Sequence, residues 1–230
     1  MGLVMLAKTS PPIILAQLLR LASPALPVGG YSYSQGLEWA VETGWVKSES
    51  DAARWIGDLL TGPIGQFDAP LLTQLYAALH TGDNATACAL DQRYLASRES
   101  RELREETLQM GYSMTSLLQA LPEWQGQPVL SLHTWPARFV EACVRFGQTA
   151  DATLTAYLFA WIENQVAAAI KLIPLGQSAG QRLLSQLIPK LADVVAAAPQ
   201  REFADWVSSS PALAIAGSQH ETQYTRLFRS

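Results

Sequence analysis

The sequence predicts an all-α protein: a single-domain helical bundle of about 8–10 helices with an extended C-terminal tail. Three observations predict it. No segment of the 230 residues sustains the period-two alternation, rich in β-branched residues, that marks a strand. Apolar residues recur instead at spacings of three and four. Pro, Gly, Ser and Asp punctuate these runs where helices start and stop. The chain is 49% hydrophobic and only 16% charged, ample material for one core. Residues 1–210 read as the helical domain and residues 211–230 as a docking tail.

The elements follow in order. Ser10 caps a helix opened by Pro11 and Pro12 and running to about Leu21. Residues 23–30 (SPALPVGG) cannot be helical throughout, because the prolines lack a donor and the glycines permit positive φ. A short helix is expected from Ser34 to Thr43, ended by Gly44. Ser50 and Asp51 suit a cap for the next helix, which reaches Thr61 before Gly62-Pro63. Asp68 starts another, to His80. After Gly82-Asp83 one helical pattern extends to Leu121, with Leu103, Met110, Met114, Leu117 and Leu121 as its seam. Arg98 with Glu102 and Arg101 with Glu105 read as (i, i+4) pairs, and Arg98–Glu106 as a solvated face.

Residues 122–132 read as a loop, with helix from Trp135 to Gly147. Residues 150–173 are the most buried candidate, with Leu158, Ile162, Val166, Ala169 and Ile173 on one face. Leu184, Leu187, Ile188, Leu191, Val194, Val195 and Ala198 form the clearest stripe, with Pro189 expected to kink or restart it.

Composition excludes several functions. Net charge is −4 without a long basic run, which argues against nucleic acid. The apolar stretch from Leu154 to Leu175 carries Glu163, Asn164, Gln165 and Lys171, too many polar groups for a membrane span. The apolar run at the N-terminus is too short for a signal peptide, and position 6 lacks the Ser or Thr of a myristoylation site. Cys88 and Cys143 form no CxxC pair, and a reducing cytoplasm fits. The protein reads as soluble and cytoplasmic.

Catalytic motifs are missing. There is no GxxxxGK[ST] phosphate loop and no GxGxxG opening a helix after a strand. Gly30-Tyr31-Ser32-Tyr33-Ser34 falls short of a nucleophile elbow. His80, His133 and His220 are isolated, so no local metal cluster, catalytic residue or cofactor site is expected. Cys143, between Phe139 and Phe146, reads as a small buried group. Trp39, Trp45 and Trp55 cluster early, and tryptophan suits both cores and interfaces. Tyr31 and Tyr33 on the Pro-Gly segment read as exposed anchors for a partner. A tail carrying Tyr224, Arg226, Leu227, Phe228 and Arg229 is unlike a solubilising tail and looks built to dock.

Four segments together resemble the UreF family. The first runs from Leu18 to Glu38 and holds Pro27-Val28-Gly29-Gly30-Tyr31, Ser34 and Gly36-Leu37-Glu38. The second is Ser100-Arg101-Glu102-Leu103-Arg104 with Met110-Gly111. The third is Lys171-Leu172-Ile173-Pro174-Leu175-Gly176-Gln177 with Gly180-Gln181. The last is His220-Glu221-Thr222-Gln223-Tyr224-Thr225-Arg226-Leu227-Phe228-Arg229-Ser230. The Gly29-Gly30-Tyr31 stretch departs slightly from the family's usual Gly-Ala/Ser-aromatic.

The resemblance implies an all-helical, non-enzymatic accessory protein of urease that can dimerise. It implies binding to UreD (also called UreH), recruitment of the GTPase UreG, and action on urease apoprotein during nickel insertion. It also implies that Tyr31, Tyr33, Glu38, Lys171, His220 and Glu221 belong, with the tail residues, to partner-binding surfaces. In particular, Arg226 is expected near Tyr31. Lys171 is expected to reach water or a partner from the end of its helix. A direct nickel metallochaperone and a helical enzyme assembled only in three dimensions are the competing classes.

Overall fold

The structure, a computed structural model, describes residues 10–230, and the readings made on residues 1–9 lie outside it. Helix α8 (Ala150–Leu172) is the axis of the bundle. Its predicted stripe of Leu158, Ile162, Val166, Ala169 and Ile173 is buried throughout. Around it pack α1 (Pro11–Ala22), α2 (Leu37–Glu42), α3 (Glu49–Leu59), α4 (Ala69–Thr81), α7 (Trp135–Arg145) and, most extensively, α9 (Gln177–Ala197). Helix α5 (Asn84–Ala96) lies on α4, and α6 (Arg101–Ala120) lies on α7. Helix α10 (Pro211–His220) occupies the first half of the expected tail and rests on α2 and α6. Among the described residues there is no strand, and no helix is long and apolar enough to cross a membrane.

Local chemistry sets the helix ends. Side-chain oxygens of Ser48, Asp83, Ser100, Thr134, Thr149 and Ser210 each accept a first-turn amide, satisfying donors that the helix cannot. The cap of α3 is thus Ser48, not Ser50 or Asp51, and Asp51 braces it by accepting from the Ser48 hydroxyl at 2.8 Å. Helix α2 begins later than predicted because Gln35 and Gly36 both have positive φ. Between α3 and α4 the chain keeps winding through a widened turn, Leu60–Asp68, around the non-helical Gly62 and Pro63. Pro189 neither breaks nor restarts α9. In that stripe Ile188 faces solvent.

The helix expected to run from residue 83 to 121 is two helices. Residues 97–100 break it, and Ser100 caps the second part with its hydroxyl 3.2 Å from the Leu103 amide. The break turns Arg98 inward, where it pairs with Asp68 at 2.7 Å instead of Glu102. Asp68 therefore serves that ion pair and makes no side-chain cap for α4.

Gly111 explains part of the second motif. A Cβ there would lie 2.1 Å from the His133 carbonyl oxygen. Its hydrogen lets α6 lie directly against the backbone that leads into α7. Buried Asp91 fixes the same backbone by accepting from the amides of His133 and Thr134 and from the Thr134 hydroxyl.

Candidate functional site

The residues singled out in the first and last motifs meet at one end of the bundle. The Pro-Gly segment leaves α1, makes a short 3-10 turn over Gly30–Ser32, and enters α2 through Gln35 and Gly36. Glycine at 36 has a second use: a Cβ would come within 2.9 Å of Ala216, so its absence lets α10 close on this loop. Gln35, a non-glycine at φ 53°, is held there from three sides. Its amide donates to the Ser230 carbonyl, its Oε1 accepts from Trp161 at 2.8 Å, and its Nε2 donates to Glu106 at 2.6 Å.

From α10 the chain folds back over α2 and α6. Glu38, buried on α2, accepts the Leu227 amide at 2.6 Å and the Phe228 amide at 2.9 Å. Glu102, buried on α6, accepts Arg226 at 2.6 Å. His220 is fully buried between these carboxylates, with Nδ1 2.7 Å from Glu102 and Nε2 3.1 Å from Glu38. Both carboxylates are engaged as acceptors, so the imidazole satisfies both only with a proton on each nitrogen. Arg226 adds a guanidinium to Glu102 at the edge of the same cluster.

The last residues complete the closure. The Ser230 carbonyl accepts from the Ser34 hydroxyl and from the amides of Ser34 and Gln35. The Ser230 hydroxyl donates to Glu106 at 2.7 Å. Burial pushes the Glu106 carboxyl up to about 7, against the pull of the Gln35 and Ser230 hydrogen bonds and of Arg98. The Arg229 amide donates to the Ser32 carbonyl at 2.8 Å. The Glu221 carboxylate accepts the Arg101 amide at 2.8 Å, at the start of α6. Beside the loop, a cavity of about 100 Å³ is lined by Tyr31, Arg98, Glu106, Met110, Tyr157 and Asn164, among others.

The expected anchors therefore divide. Tyr224 and Leu227 face solvent, whereas His220 and Phe228 are buried. Tyr33 is buried rather than exposed, because the returning tail and α8 cover it; Asn164 donates to its carbonyl at 3.0 Å. Tyr31 is half-buried, and its hydroxyl donates to Glu163 at 3.2 Å. Arg226 pairs with Glu102 and the Tyr31 hydroxyl with Glu163, so among the described residues no hydrogen bond joins the arginine to the tyrosine. Lys171 is exposed as expected, yet its ammonium stands 5.5 Å from the centre of the Phe228 ring.

Sequence reading missed Glu102, Glu106, Gln35 and Ser230. One signal was available: Glu102 and Glu106 continue the i, i+4 line of buried Met110 and Met114. Carboxylates in register with a buried seam require partners. The predicted solvated face holds for Arg101 and Glu105, 3.9 Å apart and both exposed, but fails for Arg98, Glu102 and Glu106. Cys143 is buried as expected, and burial pushes its thiol up to about 12, which leaves it unreactive. Trp39, Trp45 and Trp55 do cluster, with Trp39 and Trp45 edge to face at 4.9 Å.

Comparison with known proteins bears on the whole arrangement. A family model described as UreF matches residues 46–188. A urease accessory protein UreF of Azoarcus sp. (strain BH72) is 53% identical over 223 residues, covering 94% of this chain and 95% of that protein. The UreF of Dechloromonas aromatica (strain RCB) is 48% identical over 222 residues, covering 94% and 97%. A bifunctional urease accessory protein UreEF of Bordetella bronchiseptica is 46% identical over 225 residues, which is 94% of this chain and 52% of that protein. With the loop, the seam and the tail assembled as one unit from the motifs that carried the resemblance, this chain belongs to the UreF family of urease accessory proteins.

Proposed function

We propose that this chain is a non-enzymatic adaptor of the cytoplasm that bridges UreD (UreH) and the GTPase UreG. In that role it presents them to urease apoprotein and couples GTP hydrolysis to nickel insertion. The observation that carries the reading is the pinned tail: Tyr224 and Leu227 are held outward by a backbone fixed on Glu38. Preordered apolar anchors bind at lower entropic cost than a free tail. Residues Tyr31, Lys171, Arg226 and Arg229 border the same end of the bundle and give the surface its polar rim. Buried Tyr33, Glu38, His220 and Phe228 support that surface from beneath, and half-buried Glu221 supports it from its edge. A second copy of the chain is a further partner on this reading.

The test is co-expression with a urease gene set lacking this gene, scoring urease activity and the proteins that co-purify. Full-length chain restores activity and carries UreD and UreG with it. A chain lacking residues 221–230, still helical by circular dichroism, does neither. Equal activation and equal co-purification by the shortened chain would remove the reading. One-to-one nickel binding by the isolated chain at sub-micromolar strength would replace it with the metallochaperone class.

A further inference from the structure

We propose that Arg138 and Arg145 of α7 form a buried oxyanion site, closed by residues 125–130 and opened when a carboxylate or phosphate displaces that loop. The site lies apart from the tail, and the inference goes beyond the adaptor reading.

Helix α7 is buried from Pro136 to Arg145, yet it carries Arg138, Glu141 and Arg145. Their spacings of three and four put them on one face. Glu141 accepts from Arg138 at 2.6 Å through one oxygen and from Arg145 at 2.9 Å through the other. Among the described residues no second carboxylate pairs with either guanidinium. Glu123, beside Trp124, is taken by Arg20 at 3.0 Å, and Asp91 by the backbone that enters α7. Two cations thus share one anion out of water, and an unbalanced buried charge is costly.

The remaining donors meet neutral acceptors. Arg138 donates to the Leu130 carbonyl at 2.9 Å. Arg145 donates to the Pro128 carbonyl at 2.8 Å and to Gln127 Oε1 at 3.0 Å. The Nε–H of each arginine is buried with no hydrogen-bond partner among the described residues, so part of each planar fork is unused. Charged acceptors make hydrogen bonds roughly twice as strong as neutral ones. A guanidinium also takes an oxyanion two oxygens at a time. A carboxylate or phosphate therefore outcompetes the loop oxygens and engages the idle Nε–H groups.

The loop suits displacement. Among the described residues, the hydrogen bonds of residues 127–130 are the three from the arginines and one turn bond from the Gln127 amide to the Trp124 carbonyl. Val129 faces solvent. The two ends are fixed: Leu132 is buried, and Trp124 lies between Phe146, at 5.6 Å, and the Arg145 guanidinium, at 4.9 Å.

The test uses the full chain and follows the NMR signals of the arginine Nε–H groups. The chain is titrated with sodium phosphate and, separately, with a hexaglutamate peptide, each against sodium chloride of equal ionic strength. Saturable shifts at Arg138 and Arg145 are expected. A response to phosphate marks a free anion as the source, and a response to the peptide alone marks an acidic side chain of a partner. Gln127→Ala removes one neutral competitor from the half-buried loop and should tighten binding about two- to tenfold, the worth of one neutral hydrogen bond. Shifts at Arg138 and Arg145 no larger than in chloride, with both probes, overturn the proposal. So do shifts confined to the exposed Arg101, Arg226 and Arg229, or binding that Gln127→Ala leaves unchanged. None of these outcomes touches urease activation, so the adaptor reading is judged separately.

Discussion

Removing the Glu38 carboxylate should release the tail without unfolding the bundle. Glu38 accepts the Leu227 amide at 2.6 Å, the Phe228 amide at 2.9 Å and His220 at 3.1 Å. Hydrogen bonds to a charged acceptor contribute about 1.5–3 kcal/mol each, so three would sum to roughly 4–9 kcal/mol if the chain stayed in place. It need not stay. Once the tail lifts, its amides find water, and the loss is capped by the docking free energy. Exposing Phe228 costs about 2–3 kcal/mol and sets the scale of that cap. Glu38→Ala should therefore cost about 2–3 kcal/mol, a fall in Tm of roughly 5–10 °C for a chain of this size. Protection of residues 222–230 against hydrogen exchange should fall by about two orders of magnitude, while α8 keeps its protection. Glu105→Ala is the comparison, since its pair with Arg101 is 3.9 Å long and exposed, and it should change stability by less than about 0.5 kcal/mol. A Glu38→Ala chain with wild-type Tm and wild-type tail protection would refute the reasoning.

Three other outcomes follow. Gly111→Ala improves helix propensity by about 1 kcal/mol but drives a methyl into the His133 carbonyl, so net loss of stability in a thermal melt is expected. Arg98→Ala leaves the buried Asp68 carboxylate without its ion pair and should cost about 3–5 kcal/mol by urea titration, where an exposed pair would cost almost nothing. Lys171→Ala removes a cation from the last turn of α8 and from the Phe228 ring, a loss of about 1 kcal/mol or less and a few degrees of Tm. If Lys171 also meets an acidic partner, the same variant lowers urease activation more than this melt accounts for, and the partner association is salt-sensitive.

How much of this was legible in the sequence depends on the range of the interactions. The stripe on α8 and the seam on α6 are local periodicities; the stripe is buried as read, whereas of the seam Leu103, Met110 and Met114 are buried and Leu117 and Leu121 are half-buried. Gly44 ends α2 in the left-handed region as its position implied. The break at residues 97–100 was not legible, because Arg98 leaves the helical line for Asp68, thirty positions earlier. The site failed in the same way. Glu102 and Glu106 looked like half of an exposed charge pattern because their partners, His220, Arg226 and Ser230, lie far along the chain. The motifs did mark segments that meet at one end of the bundle, yet they blurred two positions. Tyr224 and Leu227 face outward, whereas Glu38 and His220 hold the segment in place.

The central claim is that the outward face of the pinned tail, rather than the tail's mere presence, recruits the partners. It is tested most directly by the double substitution Tyr224→Ala with Leu227→Ala, since both side chains are exposed and neither supports the fold. The variant is co-expressed with the urease gene set lacking this gene, and co-purified UreD and UreG are quantified beside urease activity. The account predicts wild-type Tm and tail protection, with partner recovery and activation reduced at least about tenfold, the effect of losing two apolar anchors. Full recovery of both partners and full activation by this variant would contradict it.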